Sequence, residues 1–385
     1  MEHVQESLLI ETEHEELRKD YTGDGSVNLK GLPILKHESG NWRACYFILG
    51  TECCEKLAYY GITKNLVCYL TRELHERNVV AARNVLTWQG TCFFTPLIGA
   101  LVADSYLGKY WTIAAFSTLY FIGLVMLTIS ALVPGQSTQT QTVGFYLGLY
   151  LVALGAGGIK PCVSTFGADQ FDDTDPIERS KRASFFNWLG FFVNIGALLS
   201  GTILVYIQDN YGWGLGFGIP TLFMGISIVS FFIGSSIYRF QRPGGSPVIH
   251  ICQVIVAAFR KWTVQLPLDS SLLYELPGSS IKGIRKLDHT SELRYLDKAA
   301  IIIPSDIKLS NGNPLDPWRL CTVTQVEELK VMVPLFPIWA TTIVFAAVCC
   351  QTLSMFIEQG MVLDKQVGFF TIPPACCLPL TSPVF

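Results

Sequence analysis

An apolar leader, metal-type cysteine spacing and long runs of charge are all missing from this sequence. Residues 1–36 are acidic and polar with no apolar core, so no cleaved signal peptide is expected and the first apolar span must direct insertion. The twelve cysteines form no CxxC pair and have no histidines at ligand spacing. They lie in apolar stretches or as the adjacent pairs Cys53-Cys54, Cys349-Cys350 and Cys376-Cys377, so they read as small buried hydrophobes and no metal site is expected. Only 15% of the residues are charged, the net charge is −3, and no basic run is long enough to follow a nucleic-acid backbone, so no nucleic-acid partner is expected.

What fills the chain instead is apolar. Half of its 385 residues are hydrophobic and the mean hydropathy is +0.37, which marks an all-α, polytopic membrane protein rather than the two or three soluble domains suggested by length alone. Residues 1–40, with Glu11, Glu13, Glu15, Glu16 and several glycines, read as a disordered tail. Six apolar spans follow within 41–238, at about 42–70, 83–103, 110–132, 143–168, 184–207 and 213–237. A hydrophilic linker, 239–329, carries eleven Lys/Arg between Arg239 and Arg319. A seventh span lies in 330–358, and 359–385 is a tail outside the membrane.

Lys and Arg favour the connections after the second, fourth and sixth spans and are missing from those after the third and fifth. That asymmetry puts the N-terminus and the linker on the cytoplasmic side. Within the linker, Ile251, Val254, Ile255, Ala258, Phe259 and Trp262 recur at helical spacing. Two readings stand: a lateral helix on the inner face of the bilayer, or an ordinary packed helix.

Charges interrupt the first span at Glu52-Cys53-Cys54-Glu55-Lys56. Positions 52, 55 and 56 are spaced i, i+3, i+4, so on a helix they share one face and can neutralise one another. With entry near Trp42 or Ala44 the cluster begins roughly 12–15 Å into a core about 30 Å thick. Insertion scales put each such charge at about 2.5–3.5 kcal/mol, so a polar cavity is expected around them. A helix starting at Leu57 would leave the charges among headgroups, but Leu57 to Leu70 is too short to cross.

Other residues divide between two readings. Lys160, flanked by Gly157-Gly158 and Pro161, either lines a cavity or snorkels toward the cytoplasmic face. Asp104, Gly108 and Lys109 form either a latch between helix ends or a solvated turn. Asn187 and Asn194 share a face and would hydrogen-bond across the bundle, as glue or as ligand contacts. Tyr59 and Tyr60 line the cavity or pack. Glu52 and Glu55 have no nucleophile, metal ligand or phosphate loop beside them, so no enzyme is expected. Titratable groups facing a cavity are the pattern of proton-linked transport.

Five stretches carry a family resemblance: Glu52-Cys-Cys-Glu55-Lys56-Leu-Ala-Tyr59-Tyr60-Gly61; Gly99-Ala-Leu-Val-Ala-Asp104-Ser-Tyr-Leu-Gly108-Lys109; Gly155-Ala-Gly157-Gly158-Ile-Lys160-Pro161 through Asp169-Gln170-Phe171; Phe185-Phe186-Asn187-Trp188; and Cys321-Thr-Val-Thr-Gln325-Val-Glu327-Glu328-Leu-Lys330. They resemble the plant nitrate/peptide transporter family, within the proton-dependent oligopeptide transporters of the major facilitator superfamily. The resemblance covers about 40–375. It implies a major-facilitator-type N-terminal six-helix bundle plus a seventh helix.

By that resemblance Glu52 and Glu55 carry the coupling proton and Lys56 is their counter-charge, with protons as coupling ion and no cofactor. Lys160 binds a substrate carboxylate or pairs with an acidic residue of the second half, and Tyr59, Tyr60, Asn187 and Gln351 join it around the substrate. The two halves would then rock around a midplane site. The family often has Arg where Lys56 stands, which exchanges a fork for a point charge. It has twelve helices where seven are read here, and the chain leaves the pattern from about Ala375, so it looks like a truncated or alternatively spliced product. Nitrate-binding members place a His where Cys349 aligns. The expected substrate is therefore a di- or tripeptide, with nitrate or another small organic anion as the alternative. The expected setting is the plasma membrane rather than the vacuolar membrane, and a non-transporting form associating with a full-length homologue is the competing expectation.

Overall fold

A computed structural model describes residues 21–132, 138–241, 247–267, 269, 273–275, 287–303, 316–351, 359, 362, 366–367 and 370–371. The chain divides into two compact units, 1–243 with 347–385, and 244–346.

The first unit is a helical bundle. Its elements are α1 (Asn41–Thr63), α2 (Leu66–Arg72), α3 (Asn78–Val102), α4 (Gly108–Leu132), α5 (Thr138–Ala168), α6 (Pro176–Leu199), α7 (Val205–Asn210) and α8 (Trp213–Ile233). Single π-helical turns join α3 to α4 at Ala103–Leu107 and α6 to α7 at Ser200–Leu204. Every expected span is helical, with shifted ends. The first breaks at Lys64-Asn65, where the Asn65 amide bonds Gln208 Oε1 at 3.1 Å and Lys64 Nζ bonds the Ala197 carbonyl at 3.2 Å. Both are side-chain bonds; on the backbone the Lys64 N–H still reaches the Tyr60 carbonyl, while the Asn65 N–H turns to Ile62, one residue short of the α-helical partner. The fifth begins at Pro176 rather than near 184, because Asp175 caps the Ile177 N–H at 2.9 Å and Pro176 supplies the fixed φ of a first turn.

Among the described residues, five stretches are long and apolar enough to cross a bilayer: Asn78–Leu132, which holds two helices, Gln139–Ala168, Pro176–Asn210, Trp213–Ser236 and Val323–Cys349. Helix α1 is not among them, since Arg43, Glu52, Glu55 and Lys56 interrupt its hydropathy. Its burial comes from packing against neighbours. A continuous core runs from Ile48 and Trp88 through Tyr120, Phe145 and Phe217 to Phe231. Glycines set the closest approach: a Cβ on Gly99 of α3 would run into the Gly157 carbonyl of α5, so those two backbones touch.

Residues 21–40 do not form the disordered tail expected for 1–40. Val27 and Phe240 exchange backbone hydrogen bonds at 3.0 and 2.9 Å, and the Thr22 N–H reaches the Ile34 carbonyl at 3.1 Å. Ser26, Ile34 and Ser39 are buried. The segment is polar, but its bonds go to other parts of the unit, a pairing that periodicity does not reveal. Late in the chain, Gln366–Val367 and Phe370–Thr371 pair as two short antiparallel strands, β1 and β2.

In the second unit, part of the expected linker 239–329 packs around a helix. Helix α9 (Pro247–Arg260) buries Val254, Ala257 and Ala258 against Leu296, Ala299, Ala300, Cys321, Val326 and Leu329. On that face Val254 and Ala258 are packed and Ile251 partly so, while Ile255, Phe259 and Trp262 are exposed. Helix α10 (Val323–Met332) starts before the expected seventh span, because Thr322 and Gln325 form a reciprocal capping box. Lys330, 3% exposed, bridges Asp297 at 2.7 Å and Glu327 at 2.8 Å and holds α10 to the turn at Arg294–Ala300. Helix α11 (Leu335–Gln351) follows. Residues 352–358, the expected end of that span, lie outside the described residues.

Candidate functional site

On α1 the spacing 52, 55, 56 turns all three side chains to one side. Lys56 Nζ donates to Glu55 Oε2 at 2.6 Å and lies 2.9 Å from Glu52 Oε1. Glu55 is fully buried and Glu52 nearly so. Two carboxylates on one ammonium leave a formal charge of −1 inside the bundle. The second oxygen of Glu55, Oε1, is buried and has no hydrogen-bond partner among the described residues. Gly196 brings α6 against this turn: a Cβ there would stand 2.8 Å from the Cys53 carbonyl and 3.0 Å from Lys56 Cβ.

Lys160 comes in from α5, which runs unbroken through Pro161. Its Nζ stands 3.9 Å from the centroid of the Tyr59 ring and 5.3 Å from that of Phe93. It makes no ion pair among the described residues, though Glu55, Lys56 and Glu52 are all within its electrostatic reach. Tyr59 is held from behind by Trp88, stacked at 5.9 Å, whose indole N–H donates to the Leu149 carbonyl at 2.9 Å. Tyr60 meets Tyr59 edge-on at 5.6 Å. The fold thus gathers Glu52, Glu55, Lys56, Tyr59, Tyr60 and Lys160, drawn from two helices, into one place.

Among the described residues, no contact joins the remaining sequence candidates to this group. Asn187 is exposed on α6, and Asn194 bonds back to the Gly190 carbonyl of its own helix at 2.7 Å, so the cross-bundle bond expected of Asn194 is not made. The reason is local: an asparagine in a helix finds its own turn's carbonyl first. Gln351 ends α11, and its side chain lies outside the described residues. At the α3–α4 junction Gly108 takes φ +75°, open to glycine without strain, and Lys109 reaches Asp169 at the end of α5 at 2.5 Å. Asp104 is half-buried in the π-turn between them.

A second buried charge centre was not legible in the sequence. Arg239, fully buried, donates from Nη1 to Glu178 Oε2 at 2.7 Å, and from Nη2 to the carbonyls of Ser39 at 2.9 Å and Lys36 at 3.0 Å. Its backbone N–H and C=O pair with the Gln170 amide at 2.9 and 3.0 Å, and Glu178 also accepts the Asp172 N–H at 2.6 Å. Gly40 has room only for hydrogen, since a Cβ would come 2.6 Å from the Gln170 carbonyl. Burial pushes the Asp172 carboxyl up. The Thr174 hydroxyl, the Gly23 and Thr174 N–H groups and Lys36 outweigh that and hold it below the usual carboxylate range. The sequence signal was weak: Arg239 directly follows an apolar span and reads as the first residue of a loop.

Apolar helices packed around buried charges define a multi-pass helical membrane protein. Comparison with known proteins then places it: a model of the POT family matches residues 110–382, and the chain belongs to that family. The match passes Ala375, where the sequence had been expected to leave the pattern. NRT1/PTR FAMILY 8.3 of Arabidopsis thaliana is 57% identical over 371 residues, covering 93% of this chain and 63% of the relative. NRT1/PTR FAMILY 8.5 of the same plant is 54% identical, covering 97% and 66%. The chain therefore spans just under two thirds of the length of these curated relatives. Among solved structures, the POT family transporter PepTSo aligns with a TM-score of 0.60 at 22% identity, over 87% of this chain and 66% of that one. That likeness shows the fold.

Proposed function

We propose that this chain carries the proton-coupling side of a symporter for small peptides. Glu52 and Glu55 take up the proton, Lys56 is their counter-charge, and Lys160 with Tyr59 and Tyr60 receives the substrate carboxylate. The observation that carries the reading is the shared ammonium: Lys56 holds both carboxylates while Glu55 keeps one buried oxygen unpartnered. Protonating Glu55 neutralises one of its two partners, shifts Lys56 toward Glu52, and so changes the contacts on one face of α1. Lys160, held by aromatic rings rather than by a carboxylate, is available to an anionic group. The coupling ion is the proton, and no cofactor takes part. Lys/Arg placement favours a cytoplasmic N-terminus; the plasma membrane as the setting is part of the same proposal. Dipeptide uptake into transport-deficient cells expressing the chain is expected to rise as external pH falls and to vanish in Glu55→Gln. Nitrate uptake with no dipeptide uptake would exchange the substrate, and uptake equal to empty vector for both would overturn the reading.

A further inference from the structure

Helix α9 is apolar around much of its girth, and the core of the second unit covers only part of it. Val254, Ala257 and Ala258 are buried there against α10 and the Arg294–Ala300 turn. Beside that strip Val248, Cys252, Ile255 and Phe259 stand exposed, spaced i, i+4, i+7 and i+11. At about 100° and 1.5 Å per residue these four fall within an arc of about 60° and form a stripe roughly 16 Å long. Trp262, in the turn that closes the helix, extends it, 63% exposed beside 76% for Phe259. A contiguous apolar face on a folded unit marks a contact surface.

Two features of the same unit say what covers it. The first is place. Helix α9 packs on Val326 and Leu329 of α10, which belong to Val323–Cys349, a stretch long and apolar enough to cross a bilayer. Six residues lead from Leu329 to Leu335, where α11 begins, so at most about 20 Å of chain separates the α9 contact from the membrane-crossing helix. The second is charge. Residues 247–263 contain His250, Arg260 and Lys261 and no aspartate or glutamate. Lys298 joins them from the Arg294–Ala300 turn: its Nζ donates to the Trp262 carbonyl and stands 5.4 Å from the centroid of that ring. Arg260 Nη1 donates to the Trp318 carbonyl at 3.4 Å, and neither Arg260 nor Lys298 meets a carboxylate among the described residues. Exposed Phe and Trp flanked by such cations have the composition of a helix lying in a lipid interface, rings toward the acyl chains and cations at the headgroups.

We propose that the exposed 248–262 face of α9 rests on the bilayer surface and binds acidic phospholipids, with Phe259 and Trp262 entering the acyl region and Arg260 and Lys298 meeting the anionic headgroups. The anchoring does not depend on what the chain transports. It also explains why a helix with one packed face keeps large apolar side chains on the next: α9 has a solvent of each kind to meet, protein on one side and lipid on the other.

Photo-crosslinking of the full chain in phosphatidylcholine nanodiscs tests this directly. The probe is a minor fraction of phosphatidylserine or phosphatidylcholine carrying a diazirine on its acyl chain, and adducts are mapped by mass spectrometry. With the phosphatidylserine probe, adducts at Phe259 and Trp262 should form within about threefold of the rate at exposed Trp339 of α11, and buried Val254 should stay unlabelled. Arg260→Gln combined with Lys298→Gln should lower the α9 adducts at least about fivefold, the contribution of one cation near an acidic surface, and leave Trp339 unchanged. Phe259→Asp, at an exposed position, should remove the adducts at Trp262 as well. No adducts at Phe259 and Trp262 beside normal ones at Trp339 would overturn the proposal. Protection of Trp262 from water-borne radicals without lipid adducts would overturn it in favour of a protein partner. Equal α9 labelling by the two probes, indifferent to the double substitution, would overturn the binding of acidic headgroups.

Discussion

The bundle contains two buried charge centres that differ in how completely they are satisfied. Around Arg239, the guanidinium spends its donors on a carboxylate, a hydroxyl and two carbonyls, and Gln170 pairs with the same residue's backbone. Around Lys56, one ammonium serves two carboxylates, Glu55 Oε1 stays unpartnered, and Lys160 rests on aromatic faces. A saturated centre has one arrangement and holds the 21–40 segment to the ends of α5, α6 and α8. On the function proposed above, an unsaturated centre has a second arrangement available once a proton or an anion arrives. Burial does not distinguish the two centres; the hydrogen bonding of their charged groups does.

The comparison breaks most visibly at its structural pole. Arg239→Ala strands Glu178 as an unpaired buried charge and is expected to destabilise the bundle by about 3–5 kcal/mol, read by unfolding of the purified chain in nanodiscs. Arg239→Lys keeps the charge but loses the fork, so its unfolding should fall between the two. At the other pole, Lys160→Gln removes a cation–π contact worth about 0.5–2 kcal/mol. Its stability should move by no more than that while acid-stimulated dipeptide uptake is lost.

The pH dependence of the structural pole has a definite sign. Asp172 is held below the usual carboxylate range when folded, so its contribution is complete above about pH 4, the ordinary value, and is lost as pH falls through the lowered one. Hydrogen exchange over residues 22–35 should therefore accelerate in strong acid, and Asp172→Asn should flatten that dependence. The smallest effect is expected at Asn187, exposed on α6, where alanine should shift stability by less than about 0.5 kcal/mol. A loss of dipeptide uptake in Asn187→Ala would support the expected place of that residue in the substrate site.

Legibility followed periodicity and charge. The spans could be read because twenty-odd apolar residues leave few alternatives, and the Glu52-Glu55-Lys56 face because i, i+3, i+4 spacing holds in any α-helix. Lys160 was visible as a charge in an apolar run, but its seat over Tyr59 and Phe93 was not, since it depends on α5 meeting α1 and α3. The Arg239 hub was invisible for the same reason: its partners lie 61 to 203 positions away in sequence. Residues 21–40 were misread because polar composition argues for disorder only where no partner supplies the bonds.

The central claim, that an unsaturated buried centre serves function and a saturated one holds the fold, meets its most direct test in Glu55→Gln, measured for unfolding and for uptake together. The account predicts unfolding within about 1 kcal/mol of the unmodified chain, with the acid stimulation of dipeptide uptake abolished. A variant that unfolds as readily as Arg239→Ala, yet keeps its pH-dependent uptake, would contradict it.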